Sequence, residues 1–395
     1  MDYQFSDRVN GLKPSAIREI FKYSADPAYI PLSAGNPAPE AFPGKEIREI
    51  SDQILKETPI AALQYGMTEG YPALRSHLGA YLQTKYNIGS PEDLLIITSG
   101  AQQVMDLFTK SMINPGDVVL CEEPSFIGSL NTFRSYQAKL RGIPMESDGI
   151  DLNALEHALK TESRVKFLYT IPNFQNPSGI TMSAEKRRAV YALCKAQGVM
   201  ILEDNPYGEV RFSGEAIPSI KSLDKDGIVM YAGTFSKVIS PGMRVGYAVG
   251  PASAVQKMIV CKQGADVHSN MWAQIVCHRL MTEYDYDAHL KRLQELYRKK
   301  YQLLERAMQE HLTGRGITWN KPQGGLFVWC SLPKGVDMPA FSQDALLQHV
   351  CIVPGTAFLC DDTAPSSAFR INFSTPTDEQ LLTGIERLGK VPMTR

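Results

Sequence analysis

The sequence predicts an α/β protein: a mostly parallel sheet sandwiched by helices, plus a smaller α+β part formed by the N-terminal segment and the C-terminal region. Three observations carry this expectation. Short apolar runs recur from residue 94 to residue 249, helically spaced segments separate most of them, and a long charged amphipathic stretch precedes two further strand-like runs. The expected parts are an N-terminal arm over 1–48, a large body over 49–288 and a small C-terminal part over 289–395.

In chain order, Ile17-Arg18-Glu19-Ile20-Phe21 has the spacing of a short amphipathic helix. Pro27 and Pro31 interrupt it before Leu32-Ser33-Ala34-Gly35, where Gly35 lets the backbone approach a ligand closely. Glu46 to Lys56 reads as a helix, and Leu63-Gln64-Tyr65-Gly66 ends it in a turn. Tyr65 there is either a packing or a ligand-binding residue. Leu94–Ile97 reads as a strand, Gly100–Ile113 as a helix, Val118–Cys121 as a strand, Ile127–Tyr136 as a helix and Lys139–Pro144 as a strand. Val165–Thr170, Val199–Leu202, Ile228–Tyr231 and Val245–Val249 continue the strands. The small part is read from a helix over Leu290–Glu310 and strands over Gly324–Trp329 and Phe369–Phe373.

Ligands in such sheets bind beyond the carboxyl ends of the strands. After the first strand, Thr98-Ser99-Gly100-Ala101-Gln102 opens into a helix whose N–H groups and positive dipole end suit an anion; a plain Ser N-cap explains it equally well. Phe126 follows the next strand in the series, bringing an aromatic ring to the rim. Asn176-Pro177-Ser178-Gly179 follows Val165–Thr170, either to orient a ring hydroxyl or as a routine turn. Asp204 and Tyr207 follow Val199–Leu202. A carboxylate flush with a buried strand end costs several kcal/mol unless a cation meets it. An arginine or a helix N-terminus serves as a structural partner, a pyridinium nitrogen as a functional one.

Between the last two strands of the series lies Gly233-Thr234-Phe235-Ser236-Lys237, with Arg244 following. Small and apolar neighbours would desolvate Lys237 and favour a free amine able to attack a carbonyl; a solvated loop lysine is the plain alternative. A lysine for an aldehyde, an anion site, a carboxylate for a ring nitrogen, polar groups for a ring oxygen and an aromatic face make the set that pyridoxal phosphate requires. On strand Phe369–Phe373, Arg370 is either a two-pronged carboxylate binder or an exposed strand-edge arginine.

With 395 residues and 44% hydrophobic content the chain is able to bury a large core. Its 41 basic and 42 acidic residues are well mixed, so nothing in the charge favours nucleic acid or an anionic membrane. No apolar run approaches the span of about 20 residues that a membrane helix needs. The N-terminus lacks the basic and apolar segments of a signal peptide, so a cytoplasmic protein is expected. Seven cysteines without a Cys-x-x-Cys pair suggest reduced thiols, and the seven histidines show no zinc spacing, so no metal is expected.

The ordered set Gln64-Tyr65-Gly66, Asn176-Pro177-Ser178-Gly179, Asp204 with Tyr207, Ser236-Lys237, Arg244 and Arg370 resembles the fold-type I, class I pyridoxal-phosphate aminotransferases. Ile17-Arg18-Glu19-Ile20, Leu32-Ser33-Ala34-Gly35, Ala62-Leu63-Gln64-Tyr65 and Pro241-Gly242-Met243-Arg244 resemble the branch of the 2-aminoadipate and kynurenine aminotransferases. The resemblance implies that Lys237 forms the internal aldimine with pyridoxal 5′-phosphate, Asp204 pairs with the pyridine nitrogen, and Tyr207 and Asn176 bond the phenolate oxygen. Phe126 stacks on the ring, where many relatives have tyrosine. The phosphate lies against the backbone of Ala101 and Gln102 and the side chains of Thr234, Ser236 and Arg244. Many relatives carry a hydroxyl residue where this chain has Ala101, which leaves only N–H groups there.

The resemblance further implies a homodimer in which Tyr65 reaches the other subunit's cofactor. Gly35, Asn176 and Arg370 bind substrate, while Arg18 either moves in to meet an acidic side chain and out for an apolar one or is a solvated helix residue. The expected reaction moves the α-amino group of an aromatic, aliphatic or 2-aminoadipate-like amino acid to a 2-oxo acid such as 2-oxoglutarate. A pyridoxal-phosphate lyase or decarboxylase shares most of these residues and stays open. A non-catalytic regulator is disfavoured by the short stretch before Arg18, and a nicotinamide enzyme by the missing Gly-x-Gly-x-x-Gly.

Overall fold

The computed structural model describes residues 3–10, 12, 23 and 26–394. The expected helix around Ile17–Phe21, and Arg18 with it, lies outside the described residues. The apolar runs become β1 (Asp93–Thr98), β2 (Val118–Glu123), β3 (Lys139–Glu146), β4 (Gly149–Ile150), β5 (Val165–Thr170), β6 (Met200–Asp204), β7 (Val229–Thr234) and β8 (Gly246–Pro251). They form one sheet in the order β1-β8-β7-β6-β5-β2-β3-β4. Pairing is parallel from β7 through β6, β5 and β2 to β3, while β8 runs antiparallel to both β1 and β7. Because β8 is reversed, its starting residue shares a rim with the ends of β1, β2, β5, β6 and β7.

The central strands β2, β5, β6 and β7 are nearly continuous buried runs because helices cover both faces of the sheet. On one side pack residues such as Phe108, Phe133 and Phe167, and on the other Leu155, Leu168, Val190 and Ile201.

The helix Gly44–Glu57 matches its expected span, but the chain then breaks at Thr58 and forms a separate turn of helix, Pro59–Leu63. Pro59 is the cause, since a residue before proline is pushed out of helical geometry. The long C-terminal helix runs from Tyr286 to His311, capped by Asp285, and buries Leu290, Leu293, Tyr297, Leu304 and Met308. Each such leucine contributes about 1.5–3 kcal/mol by leaving water.

A second sheet has the order β11-β12-β10-β9, with β9 (Thr318–Trp319), β10 (Phe327–Ser331), β11 (Val353–Pro354) and β12 (Ala368–Asn372). The strand expected from Gly324 starts only at Phe327. Gly324 and Gly325 instead bend around Phe174, whose ring would lie 2.3 Å from a Cβ placed on Gly324. The N-terminal segment joins this part: Ile30 bridges Val350 in parallel, and Asn372 donates its N–H to Leu32.

Candidate active site

Five strand ends and one strand start converge on a cavity of about 400 Å³ between the two sheets. It is lined by Gly35, Ala101, Gln102, Phe126, Asn176, Asp204, Tyr207, Thr234, Ser236, Lys237, Arg244 and Arg370, residues drawn from most of the length of the chain. Tyr65 does not line it and is 81% exposed.

Lys237 sits in the turn after β7, partly buried, and its Nζ donates to the carbonyl of Gly35 at 2.9 Å. Burial lowers its pKa to about 8, helped by the positive charges of Arg370 and Arg244. A solvated loop lysine would show none of this. The turn itself is set by Thr234, whose Oγ1 accepts the N–H of Ser236 at 3.1 Å and donates to Ser236 Oγ at 2.9 Å.

Across the cavity, Asp204 ends β6 and is 4% exposed. Its Oδ2 accepts a hydrogen bond from Tyr169 at 2.8 Å, whereas Oδ1 is buried with no partner. Burial raises its pKa to about 7, against the Tyr169 hydrogen bond and with the nearby charge of Glu122. Among the described residues neither an arginine nor a helix end meets Oδ1. That free acceptor fits a protonated ring nitrogen.

The helix Ala101–Met112 begins at Gly100 without a side-chain cap. Ser99 is therefore not the N-cap; its Oγ donates to Asp266 at 2.7 Å instead. Close packing builds a cup at this helix end. Gly246, which opens β8, lies so near that a Cβ there would stand 2.5 Å from the Gly100 carbonyl carbon and 2.6 Å from the Ala101 nitrogen. Arg244 holds a left-handed φ of 54°, an arrangement costing about 1–3 kcal/mol in a non-glycine residue, and donates to the Ser99 carbonyl at 3.1 Å. With uncapped helical N–H groups, two hydroxyls and a guanidinium, the cup suits a phosphate.

The loop after β5 is shaped from beneath by Glu122, which accepts from Thr170 Oγ1 at 2.5 Å, the Ile171 N–H at 3.0 Å and Gln175 Nε2 at 3.2 Å. It presents Asn176, whose Oδ1 accepts from Arg370 at 3.0 Å and whose Nδ2 donates to Tyr207 at 3.4 Å. Arg370 occupies β12, between β11 and β10, and is 3% exposed, so it is not a strand-edge arginine. Its guanidinium lies 4.1 Å over the ring of Phe327 and donates to the Ser33 carbonyl at 2.9 Å. Its Nε is buried with no partner, and burial lowers its pKa to about 10. No ion pair forms on it among the described residues. A buried cation without a counter-ion is costly, and an anion in the cavity would offset that cost.

Tyr169, Ser129 and Phe327 are not singled out by the sequence. Phe327 opens β10, later than the start expected at Gly324, and only the fold puts its ring under Arg370. Tyr169 and Ser129 look like ordinary core residues, and no local signal separates them.

Residues 28–388 match the model of the family described as aminotransferase class I and II. The chain is 36% identical to aromatic-amino-acid aminotransferase 1 of Thermococcus litoralis over 396 residues, covering 99% of this chain and 94% of that one. It is also 36% identical to 2-aminoadipate transaminase of Thermus thermophilus, covering 98% and 96%. The crystal structure of Pyrococcus horikoshii kynurenine aminotransferase in complex with PMP superimposes with a TM-score of 0.94 at 35% identity, covering 98% and 96%.

Proposed function

The chain belongs to the class I and II aminotransferases, and we propose that the cavity beside Lys237 is its transamination site, holding pyridoxal 5′-phosphate. In this reading Asp204 Oδ1 takes the ring nitrogen, Tyr207 and Asn176 the ring oxygen, and Phe126 one ring face. The phosphate occupies the cup formed by the N–H groups of Ala101 and Gln102, the hydroxyls of Thr234 and Ser236, and Arg244. The observation that carries the reading is Asp204 Oδ1, a buried acceptor without a partner among the described residues, in the same cavity as a lysine whose pKa burial lowers to about 8.

When bound, the cofactor supplies an aldehyde for amines and a cationic ring that withdraws electrons from the substrate's α-carbon. Lys237 Nζ provides the attacking amine and then the base that takes the α-proton and returns it. Arg370 fixes the substrate carboxylate with two parallel hydrogen bonds, assisted by the Gly35 segment and Asn176. Asp204 stays ionised and keeps the ring cationic.

The donor is an aromatic, aliphatic or 2-aminoadipate-like amino acid, and the acceptor is 2-oxoglutarate. The names of the two relatives support the aromatic and 2-aminoadipate parts of this range, and the apolar lining residues Ile127 and Phe327 suit an aromatic or aliphatic side chain. Arg18 receives an acidic side chain. The relatives named above are all aminotransferases, and none supports a lyase. The protein works in the cytoplasm as a homodimer, where Tyr65 of the partner subunit reaches the phosphate. Ile60, Leu63 and Met67, close to Tyr65 in sequence, are exposed apolar side chains suited to that contact. The arm over 1–48 then acts with the small part over 289–395, and the large part over 49–288 carries most of the cofactor groups.

Two measurements test the reading. Borohydride treatment with pyridoxal phosphate should add mass at Lys237 alone, and a panel of amino acids with 2-oxoglutarate should yield glutamate. Ammonia in place of glutamate would return the lyase reading.

A further inference from the structure

A chain of hydroxyl groups starts at Ser129 in the cavity wall and ends on Asp204. Ser129, in the helix Ile127–Ser135, donates to Tyr169 Oη at 2.9 Å, and Tyr169 on β5 donates to Asp204 Oδ2 at 2.8 Å. Ser129 and Tyr169 are fully buried. With Asp204 ionised the direction follows: a carboxylate only accepts, so the single phenol proton goes to Asp204 and the serine supplies the second bond. Phe133 holds the tyrosine ring edge-on, with centroids 5.3 Å apart.

We propose that Ser129 and Tyr169 are positioning residues that commit Asp204 to the cofactor's ring nitrogen, by occupying Oδ2 and leaving Oδ1 as the only free acceptor. The proposal rests on the reading of the cavity as a pyridoxal-phosphate site. Its physical basis is the cost of a buried charge. Asp204 faces Glu122, Tyr207 and Tyr231 as well as Tyr169, and none of these is a cation. Burial and the Glu122 charge both favour the neutral acid; the Tyr169 proton is what opposes them. The serine bond polarises the phenol and strengthens its donation. A neutral Asp204 would lose its charge-assisted bond to the ring, whichever of its oxygens carried the proton.

The test compares the affinity of the apoprotein for pyridoxal phosphate with that for its 1-deaza analogue, which lacks the ring nitrogen. Wild type should prefer the natural cofactor. In Tyr169→Phe that preference should fall about tenfold, the order carried by one charge-assisted hydrogen bond, while borohydride still traps the cofactor on Lys237. Ser129→Ala should move it in the same direction by a smaller factor and keeps the test open if Tyr169→Phe does not fold. An unchanged preference, or equal loss of affinity for both compounds, would overturn the proposal, because a merely structural tyrosine affects both alike. A wild-type protein that shows no preference and no trapping at Lys237 would overturn the cavity reading itself, a result visible before any variant is made.

Discussion

Two groups of buried charge sit at opposite ends of the eight-stranded sheet, and they are built in opposite ways. At the amino ends of the strands, Lys221 donates to Asp93 at 2.8 Å and to Asp224 at 2.9 Å. Asp224 also accepts the N–H groups of Ile228 and Val229, which lead into β7. Every charge there has its counter-ion within the chain. At the carboxyl ends, which β12 of the second sheet faces with Arg370, Asp204 Oδ1 and Arg370 Nε have no partner among the described residues, and Lys237 donates to a carbonyl. A satisfied buried ion cluster holds elements together, while an unsatisfied one costs stability and waits for a ligand. Burial alone therefore does not reveal a site; incomplete pairing does.

That contrast is broken or sharpened most strongly by Lys237→Ala. The rate of transamination should fall about 10⁴-fold, with the apoprotein's melting temperature unchanged or raised, since a desolvated amine without a counter-ion is removed. A comparable loss of stability would place Lys237 with the structural ions. The mirror-image change is Lys221→Met, which strands two buried carboxylates. It should cost about 3–5 kcal/mol in chemical denaturation and leave the turnover of the folded fraction intact.

Arg370→Lys keeps the charge but loses the fork. The KM for both amino acid and 2-oxo acid should rise about 10- to 100-fold with a smaller change in kcat; an unaffected KM would remove Arg370 from carboxylate binding. The smallest effect concerns pH. Because burial lowers the Lys237 pKa to about 8, its amine is protonated and unreactive below that value and free above it. Aldehyde labelling of Lys237 in the apoprotein, followed by borohydride and mass spectrometry, should rise with pH and level off above about 8. Surface lysines should continue to gain reactivity at higher pH.

Much of the site was legible because of how sheets present residues. Lys237, Asp204 and Asn176 each follow an apolar run, and the carboxyl end of a parallel strand is where a polar side chain meets a ligand. Arg244 precedes its strand, and only the reversal of β8 brings it to the same rim. Ser99 shows the limit of local reading: its position suited a helix cap, yet a distant aspartate, Asp266, takes its hydroxyl. The same holds for Thr58, where the following proline splits a helix that spacing alone would have carried further.

The sequence by itself determined the sheet, the order of the reactive residues and their chemical types, because strand periodicity and residue chemistry are local properties. Only the tertiary structure decided which of those groups go unpaired. Arg370 reaches Asn176 and Ser33 across most of the chain, and Tyr169 reaches Asp204 between neighbouring strands. Whether a buried charge is satisfied depends on partners remote in sequence, and those meet only when the core has closed around them.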